Sequence, residues 1–219
     1  MSTMSKLTQN VNKSHIKGKS NKKGSIMKEF HQLYFDTRYC YDHWKVKMIF
    51  ICMYNIYFLA IFNYASIEGD IFTLGMLFGS AEFLGLILGE PILKRFPDWL
   101  AMMFSLLVVM VCSVILKMPD VEQAEIYMAF LCQIFFIGIS FNAAYGIVES
   151  RINPKLLAVA FELDLSFGNG MSMIVPILAK AGEPTPTLMF LFFGCTAILM
   201  LVYIGPKKPE KATILDRIE

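Results

Sequence analysis

The sequence has little charge, few histidines and no closely spaced cysteines. Only 17% of its 219 residues are charged, against about 25% in ordinary soluble domains. All three histidines, His15, His31 and His43, precede the first long apolar run, so we expect no histidine-based metal or haem site inside the membrane. The five cysteines form no CxxC pair, and we interpret them as buried thiols, neither a disulfide framework nor a metal site.

Catalytic motifs are also missing. The sequence contains no Gly-rich phosphate-binding loop, no HExxH zinc motif and no GxSxG nucleophile elbow. We therefore expect a protein that is not an enzyme, with no catalytic residue, no metal and no cofactor.

Acidic residues are absent from residues 1–28, which contain seven lysines. This basic arm lacks the apolar core of a secretory signal, and it is acid-free like a mitochondrial transit peptide but poor in Arg. Its place before a membrane domain favours binding to lipid or to a protein partner over binding to nucleic acid. We expect an integral membrane protein, with the mitochondrial inner membrane favoured over the plasma membrane.

The sequence is rich in hydrophobic residues, which make up 56% of it. Six apolar segments, each near the ~20 residues that span a bilayer, are numbered one to six: residues 48–66, 73–92, 99–116, 127–148, 156–178 and 188–204. They predict an all-α membrane protein of six transmembrane helices. The domain plan is then the arm, a juxtamembrane segment at 29–47 lying on the membrane surface, the membrane domain at 48–206 and a charged tail at 207–219.

The basic residues between the segments predict the orientation. If the chain crosses the membrane six times, one side carries the basic residues of the arm and of the tail together with Lys94, Arg95, Arg151 and Lys155. The other side is mainly acidic, with only Lys117 and Lys180 against six carboxylates, Glu68, Asp70, Asp120, Glu122, Glu125 and Glu183. Since Lys and Arg accumulate on the side from which a protein is inserted, both termini are predicted to be inside.

Local motifs resemble the C-terminal half of a major facilitator superfamily transporter of the organic-ion or sugar type. Residues 78–83 (FGSAEF) are similar to the family's eighth helix, where a Ser-Gly pair precedes an intramembrane Glu. Residues 145–154 (YGIVESRINP) are similar to the signature after the tenth helix, and residues 167–170 (FGNG) to the Gly-rich eleventh helix. The resemblance runs from Tyr34 to about Pro206 and implies a six-helix half-transporter bundle.

The sequence departs from this family in its gate loops. The family's basic loop after the eighth helix keeps only Arg95, and the later signature keeps Glu149, Arg151 and Pro154 with altered spacing. By this resemblance, these four residues are what remains of the family's gate loops, and we call them the gate-loop remnants. The family's N-terminal half has no counterpart in the sequence, and the substrate path of such transporters lies between the two halves.

Polar residues within the apolar segments are the candidates for a transport site or cavity. Glu82 is the first, because an ionisable residue inside a bilayer is costly and by default marks function; its alternative is a neutral or hydrogen-bonded Glu packed between helices. Either Glu162 or Asp164, which is the candidate of the two, is expected to meet Arg151 or Lys155, and Asn142 to hydrogen-bond across helices. Asn169 falls where the family places a substrate-recognition residue.

Small residues are spaced for close helix packing in segment two, as Gly75-x-x-x-Gly79 and Gly85-x-x-x-Gly89. In segment five, glycines and a proline are expected to loosen the helix.

Two functions follow as hypotheses. In the first, the chain is a transporter-derived accessory subunit that no longer transports and is held among membrane lipids and other membrane subunits, in a host such as a mitochondrial energy-converting complex. In the alternative, it is an active half that pairs with another six-helix half to move a small organic ion or sugar-like solute.

Overall fold

The computed structural model describes residues 31, 37–64, 67, 69–118, 121–152, 156–180 and 185–205. These residues form seven helices and no strand: α1 (Thr37–Tyr64), α2 (Ile71–Leu93), α3 (Asp98–Ile115), α4 (Gln123–Arg151), α5 (Leu157–Ser172), α6 (Val175–Lys180) and α7 (Thr185–Ile204). The all-α prediction is therefore confirmed for the part of the chain that is described.

Five of the helices are long and apolar enough to cross a membrane: α1 from His43 to Asn63, all of α2, α3 and α4, and α7 from Pro186. The chain is thus an integral membrane protein by length and composition. Segments one to four and segment six of the sequence prediction correspond to these helices. The ends of the helices differ from the predicted ends by a few residues, except that α1 begins 11 residues before the predicted start at Met48.

The fifth predicted segment is not one continuous helix. It divides into α5 and α6 at Met173 and Ile174, where the N–H of Ile174 reaches back only to the carbonyl of Met171, at 3.3 Å. Pro176 has no N–H to donate and its ring crowds the preceding turn, which favours a break in the helix at this point. The expected loosening of this segment is confirmed, and it goes as far as a break.

The start of α1 corrects the sequence prediction. The surface helix expected at residues 29–47 and the membrane helix expected from Met48 share one continuous α1, which begins at Thr37. Because α1 is longer than expected, His43 and Lys47 lie within the bundle, where each is at most 1% exposed. Apart from His31, residues 1–36 lie outside the described part of the chain, as do residues 206–219.

The helices pack as two interlocked units, α1 to α3 and α4 to α7. The centre of the bundle is the contact of α1 with α4. The main partners of α4 are α2 and α3, whereas the main partners of α1 are α5 and α7. Exchanging α1 with α4, α2 with α5 and α6, and α3 with α7 leaves this pairing unchanged, so the packing has an internal two-fold pattern.

The two ends of the bundle are distinct. We call one of them the Arg95 end. Helices α2, α4 and α7 end there and α3 begins there, because Leu93, Pro97, Ser150 and Gly205 line a single cavity. The ammonium group of Lys45, near the start of α1, lies 4.7 Å from the Tyr203 ring of α7, so α1 starts where α7 ends. That this end faces the inside of the cell or organelle stays a prediction.

Close packing between α2 and α4 depends on glycine. A Cβ at Gly85 would overlap the backbone carbonyl of Phe135, so only glycine lets the two backbones approach this closely. Gly89 is likewise buried against α4, whereas Gly75 and Gly79 are exposed. Of the two small-residue motifs, the second packs inside the chain and the first lies on its surface.

Candidate functional site

Aromatic side chains join α1, α2, α4 and α5 over one partly exposed face. We call this set the aromatic face; its members are Tyr54, Tyr57, Phe78, Phe141, Tyr145 and Phe161, all half-buried. The Phe141 ring lies 5.5 Å from Tyr54 and 5.8 Å from Tyr57, both edge to face. These are favourable aromatic geometries, so the rings form a connected layer.

Glu82 lies at the edge of the aromatic face. It projects from α2, is half-buried, and its carboxyl group interacts with the Tyr57 hydroxyl of α1. The Tyr54 hydroxyl interacts in the same way with Tyr145 of α4. The polar groups of this face are thus directed at each other, which lowers the cost of placing them at membrane depth.

Asn142 and Asn169, the two candidate amides, have different positions. The Asn142 side chain donates a hydrogen bond of 2.6 Å to the Leu86 carbonyl, which joins α4 to α2 as the sequence led us to expect. Asn169 is exposed on α5 beside Gly170, where a Cβ would meet nothing within 4 Å. Asn142 therefore holds two helices together, and Asn169 stands on the surface.

Asp164 belongs to a buried group of ionisable side chains between α1 and α5. Its Oδ1 lies 3.7 Å from Nε2 of His43, and both side chains are at most 1% exposed. Lys47, one turn further along α1, interacts electrostatically with both of them. Its ammonium group lies 4.2 Å from the centre of the Phe167 ring and 4.6 Å from that of Trp44. We call His43, Lys47 and Asp164 the α1–α5 charge cluster.

The cluster replaces the partners that the sequence analysis expected for Asp164. Arg151 instead donates to the Gly205 carbonyl at the end of α7, and Lys155 lies outside the described residues. His43 and Lys47 were missed because the sequence places them before the first apolar segment. Their spacing of four residues was a usable signal, since it puts them on one face of any helix that starts early enough.

The gate-loop remnants do not meet in the described residues. Arg95 is exposed in the turn after α2, and Glu149 is exposed near the end of α4, where it interacts electrostatically with Asp98. Lys94 forms an ion pair of 2.8 Å with Glu90, one turn back on its own helix. Pro154 lies outside the described residues.

The described cysteines are not all buried, although the sequence predicted buried thiols. Cys52 and Cys112 are buried, as the sequence analysis expected, but Cys132 is half-buried and Cys195 is exposed. Cys112 of α3 lies against Cys132 of α4. The described part of the chain contains no group of three or more His, Cys, Asp or Glu side chains placed to hold a metal ion.

Comparison with known proteins adds no family. No protein-family model matches the sequence, and no curated protein matches it. Chemically, the aromatic face offers ring stacking and two hydroxyl contacts, and the α1–α5 charge cluster offers groups that hold or release a proton.

Proposed function

We propose that this chain is a transporter-derived structural subunit of a larger membrane assembly, built on one six-helix half of a major facilitator-like fold. The observation that carries the proposal is the aromatic face. In a transporter half, the corresponding helices border a water-filled substrate path. Here ring contacts join these helices, and Glu82 lies against Tyr57. Such a layer suits packing against protein or lipid better than it suits a hydrated passage.

The two-fold pattern of helix pairing supports the fold part of the proposal. A transporter half of this type is built from two three-helix repeats. The exchange of α1 with α4, α2 with α5 and α6, and α3 with α7 leaves the main helix contacts unchanged, as repeats of that kind require. The motifs at residues 78–83 and 167–170 then lie on α2 and α5, which occupy corresponding places.

The exposed side of α2 supports the partner part of the proposal. Phe72, Met76 and Phe83 are 79%, 75% and 63% exposed, and Gly75 and Gly79 lie among them. Large apolar side chains next to small residues form the ridges and hollows by which membrane helices pack on each other. We infer that another subunit packs here; the mitochondrial host stays a prediction from the sequence.

Site-specific photo-crosslinking tests this proposal. A photoreactive residue at Met76 should capture the same neighbouring subunit in repeated preparations, and the full chain should migrate in a complex far larger than 24.9 kDa. The same group at Leu199, exposed on α7, is the control and should capture mainly lipid. A monomeric chain that forms only lipid adducts at Met76 would refute the proposal.

The α1–α5 charge cluster favours a second candidate, a working transporter half that pairs with another copy or a separate half. Ionisable groups buried in membrane proteins commonly serve as proton or ion relays, and His43 and Asp164 are both groups of that kind. Proton entry into vesicles that contain the full chain and a pH-sensitive dye would support this candidate, if Asp164→Asn and Glu82→Gln abolish it in folded protein. Under the structural proposal, Glu82→Gln leaves assembly intact and no proton flux is seen.

A further inference from the structure

An apolar groove lies between α2, α3 and α4 on the outside of the bundle. Its volume is about 520 Å³, and its walls include Ile92, Phe96, Leu100, Phe104, Phe136 and Ile139. Ser105 supplies the one polar side chain among the lining residues. The volume falls within the ~300–1,000 Å³ of typical small-molecule sites, and the lining excludes a polar ligand.

One end of the groove lies at the Arg95 end of the bundle. Phe96, which lines it, directly follows Lys94 and Arg95 in the turn between α2 and α3. Lys94 is neutralised by Glu90, at 2.8 Å. Arg95 is exposed and makes no ion pair with any of the residues that the structure describes. An exposed arginine without an ion pair among the described residues therefore directly precedes a residue that lines an apolar groove.

We propose that this groove binds an acyl chain of an anionic phospholipid and that Arg95 binds the lipid phosphate. The two parts of the site match the two parts of such a lipid. The groove is apolar and lies at the depth of the hydrocarbon core, whereas Arg95 lies at its end, where headgroups are. Arginine presents a planar set of donors that fits phosphate oxygens, often in pairs.

The dimensions agree with an acyl chain. Leu100 to Ser105 occupy about 8 Å of the α3 axis at 1.5 Å per residue, and Ile92 and Phe96 extend the groove to the end of α2. One leaflet of hydrocarbon is ~15 Å deep, so the groove holds the upper part of one chain.

Native mass spectrometry of the full chain tests the site. The protein is released from vesicles of equal amounts of phosphatidylcholine and phosphatidylglycerol with identical acyl chains, and the bound lipids are counted. We expect the wild-type chain to retain phosphatidylglycerol and phosphatidylcholine in a ratio of about five to one, the preference that one basic residue near a membrane surface gives. Arg95→Gln should remove this preference, and Arg95→Lys should keep most of it.

Matched variants separate the site from general effects of charge and folding. Lys180→Gln removes a positive charge from an exposed residue of α6 and should leave the preference unchanged. Leu100→Trp places a bulky side chain in the groove and should lower total bound lipid, whereas Leu107→Trp, exposed on the same helix outside the groove, should not. Equal loss in Arg95→Gln and Lys180→Gln, or retention of the two lipids in the ratio of the mixture by the wild-type chain, would overturn the proposal.

Discussion

Helices α2 and α5 occupy corresponding places in the two units of the bundle but are held there by different interactions. Each packs on the central helix of the two-fold pattern, α2 on α4 and α5 on α1. Both contacts use a glycine, Gly85 of α2 against Phe135 and Gly168 of α5 against Tyr54. The contact of α2 adds the hydrogen bond from Asn142 to the Leu86 carbonyl, whereas that of α5 encloses the α1–α5 charge cluster. A packing position therefore does not determine the chemistry that stabilises it.

The two helices also differ in continuity. A side-chain cap begins α2, where Asp70 accepts hydrogen bonds of 2.9 Å from the Thr73 N–H and 2.7 Å from the Thr73 hydroxyl. No side-chain cap begins α5, which ends at a break after 16 residues. Pro91 lies in the last turn of α2 and leaves that helix intact to Leu93, because few hydrogen bonds remain beyond it to be lost.

Removing the buried carboxylate of α5 should have the largest effect. Asp164→Ala leaves His43 and Lys47 buried without the carboxylate that they face, and breaking a buried charge pair costs about 3 kcal/mol or more. The free energy of unfolding in mixed detergent micelles measures this loss. Glu162→Ala is the control, since Glu162 is exposed on the same helix; equal effects of the two variants would contradict the role of the cluster.

The glycine contact of α2 should be the next most sensitive. Gly85→Ala places a Cβ against the Phe135 carbonyl, and overpacking of this kind costs roughly 1–3 kcal/mol. The control is Gly79→Ala, where nothing lies within 4 Å, so higher helix propensity should stabilise the protein by up to about 1 kcal/mol. The same unfolding measurement in both variants decides whether the backbones of α2 and α4 need this approach.

The break between α5 and α6 should respond weakly to substitution. Pro176→Ala restores a backbone N–H, and we expect slower hydrogen exchange at residues 173–177 with a change in stability below about 1 kcal/mol, because Gly168 and Gly170 still favour flexibility. Pro91→Ala, near the end of α2, should change exchange much less. If both variants exchange like the wild-type chain, the proline is not the cause of the break.

The smallest effect is expected at the cap of α2, and it depends on pH. Hydrogen bonds from Thr73 hold the pKa of Asp70 below its usual range. A lowered folded-state pKa means that the cap contributes fully above the ordinary value of about 3.9 and is lost as pH falls through the folded pKa. Fraying of the first turn, measured as hydrogen exchange at Thr73 and Leu74, should rise at low pH in the wild-type chain and be pH-independent in Asp70→Ala.

Much of the fold could be predicted because membrane insertion is read from local composition. A helix that crosses ~30 Å of hydrocarbon needs a long apolar run, and five such runs in the sequence are five such helices in the structure. Pro176 and the glycines before it likewise predicted that the helix of segment five would be loosened. The start of α1 was missed because His43, Lys45 and Lys47 made the first turns of a membrane helix look like a surface segment.

The candidate site was predictable only in part. Glu82 and Asp164 stood out as carboxylates in apolar segments, but their partners, Tyr57 and His43, come from another helix, and no local pattern names a partner across a helix interface. Arg95 was interpreted from the sequence as a gate-loop remnant. The groove beside it could not be predicted, because three helices form it and its lining residues lie as far apart in the sequence as Ile92 and Ile139.

By itself, the sequence determined that this chain lies in a membrane as a set of apolar helices, because the cost of exposing backbone and charge to hydrocarbon acts on each segment separately. Only the tertiary structure decided which polar groups lie beside a partner from another helix and which lie exposed beside an apolar groove. Lys47 is buried beside Asp164, Lys94 is paired with Glu90, and Arg95 is exposed at the mouth of a groove. The Lys94–Glu90 pair is local, one turn apart on a single helix. The surroundings of Lys47 and Arg95 differ because contacts between helices depend on distances that tertiary packing sets.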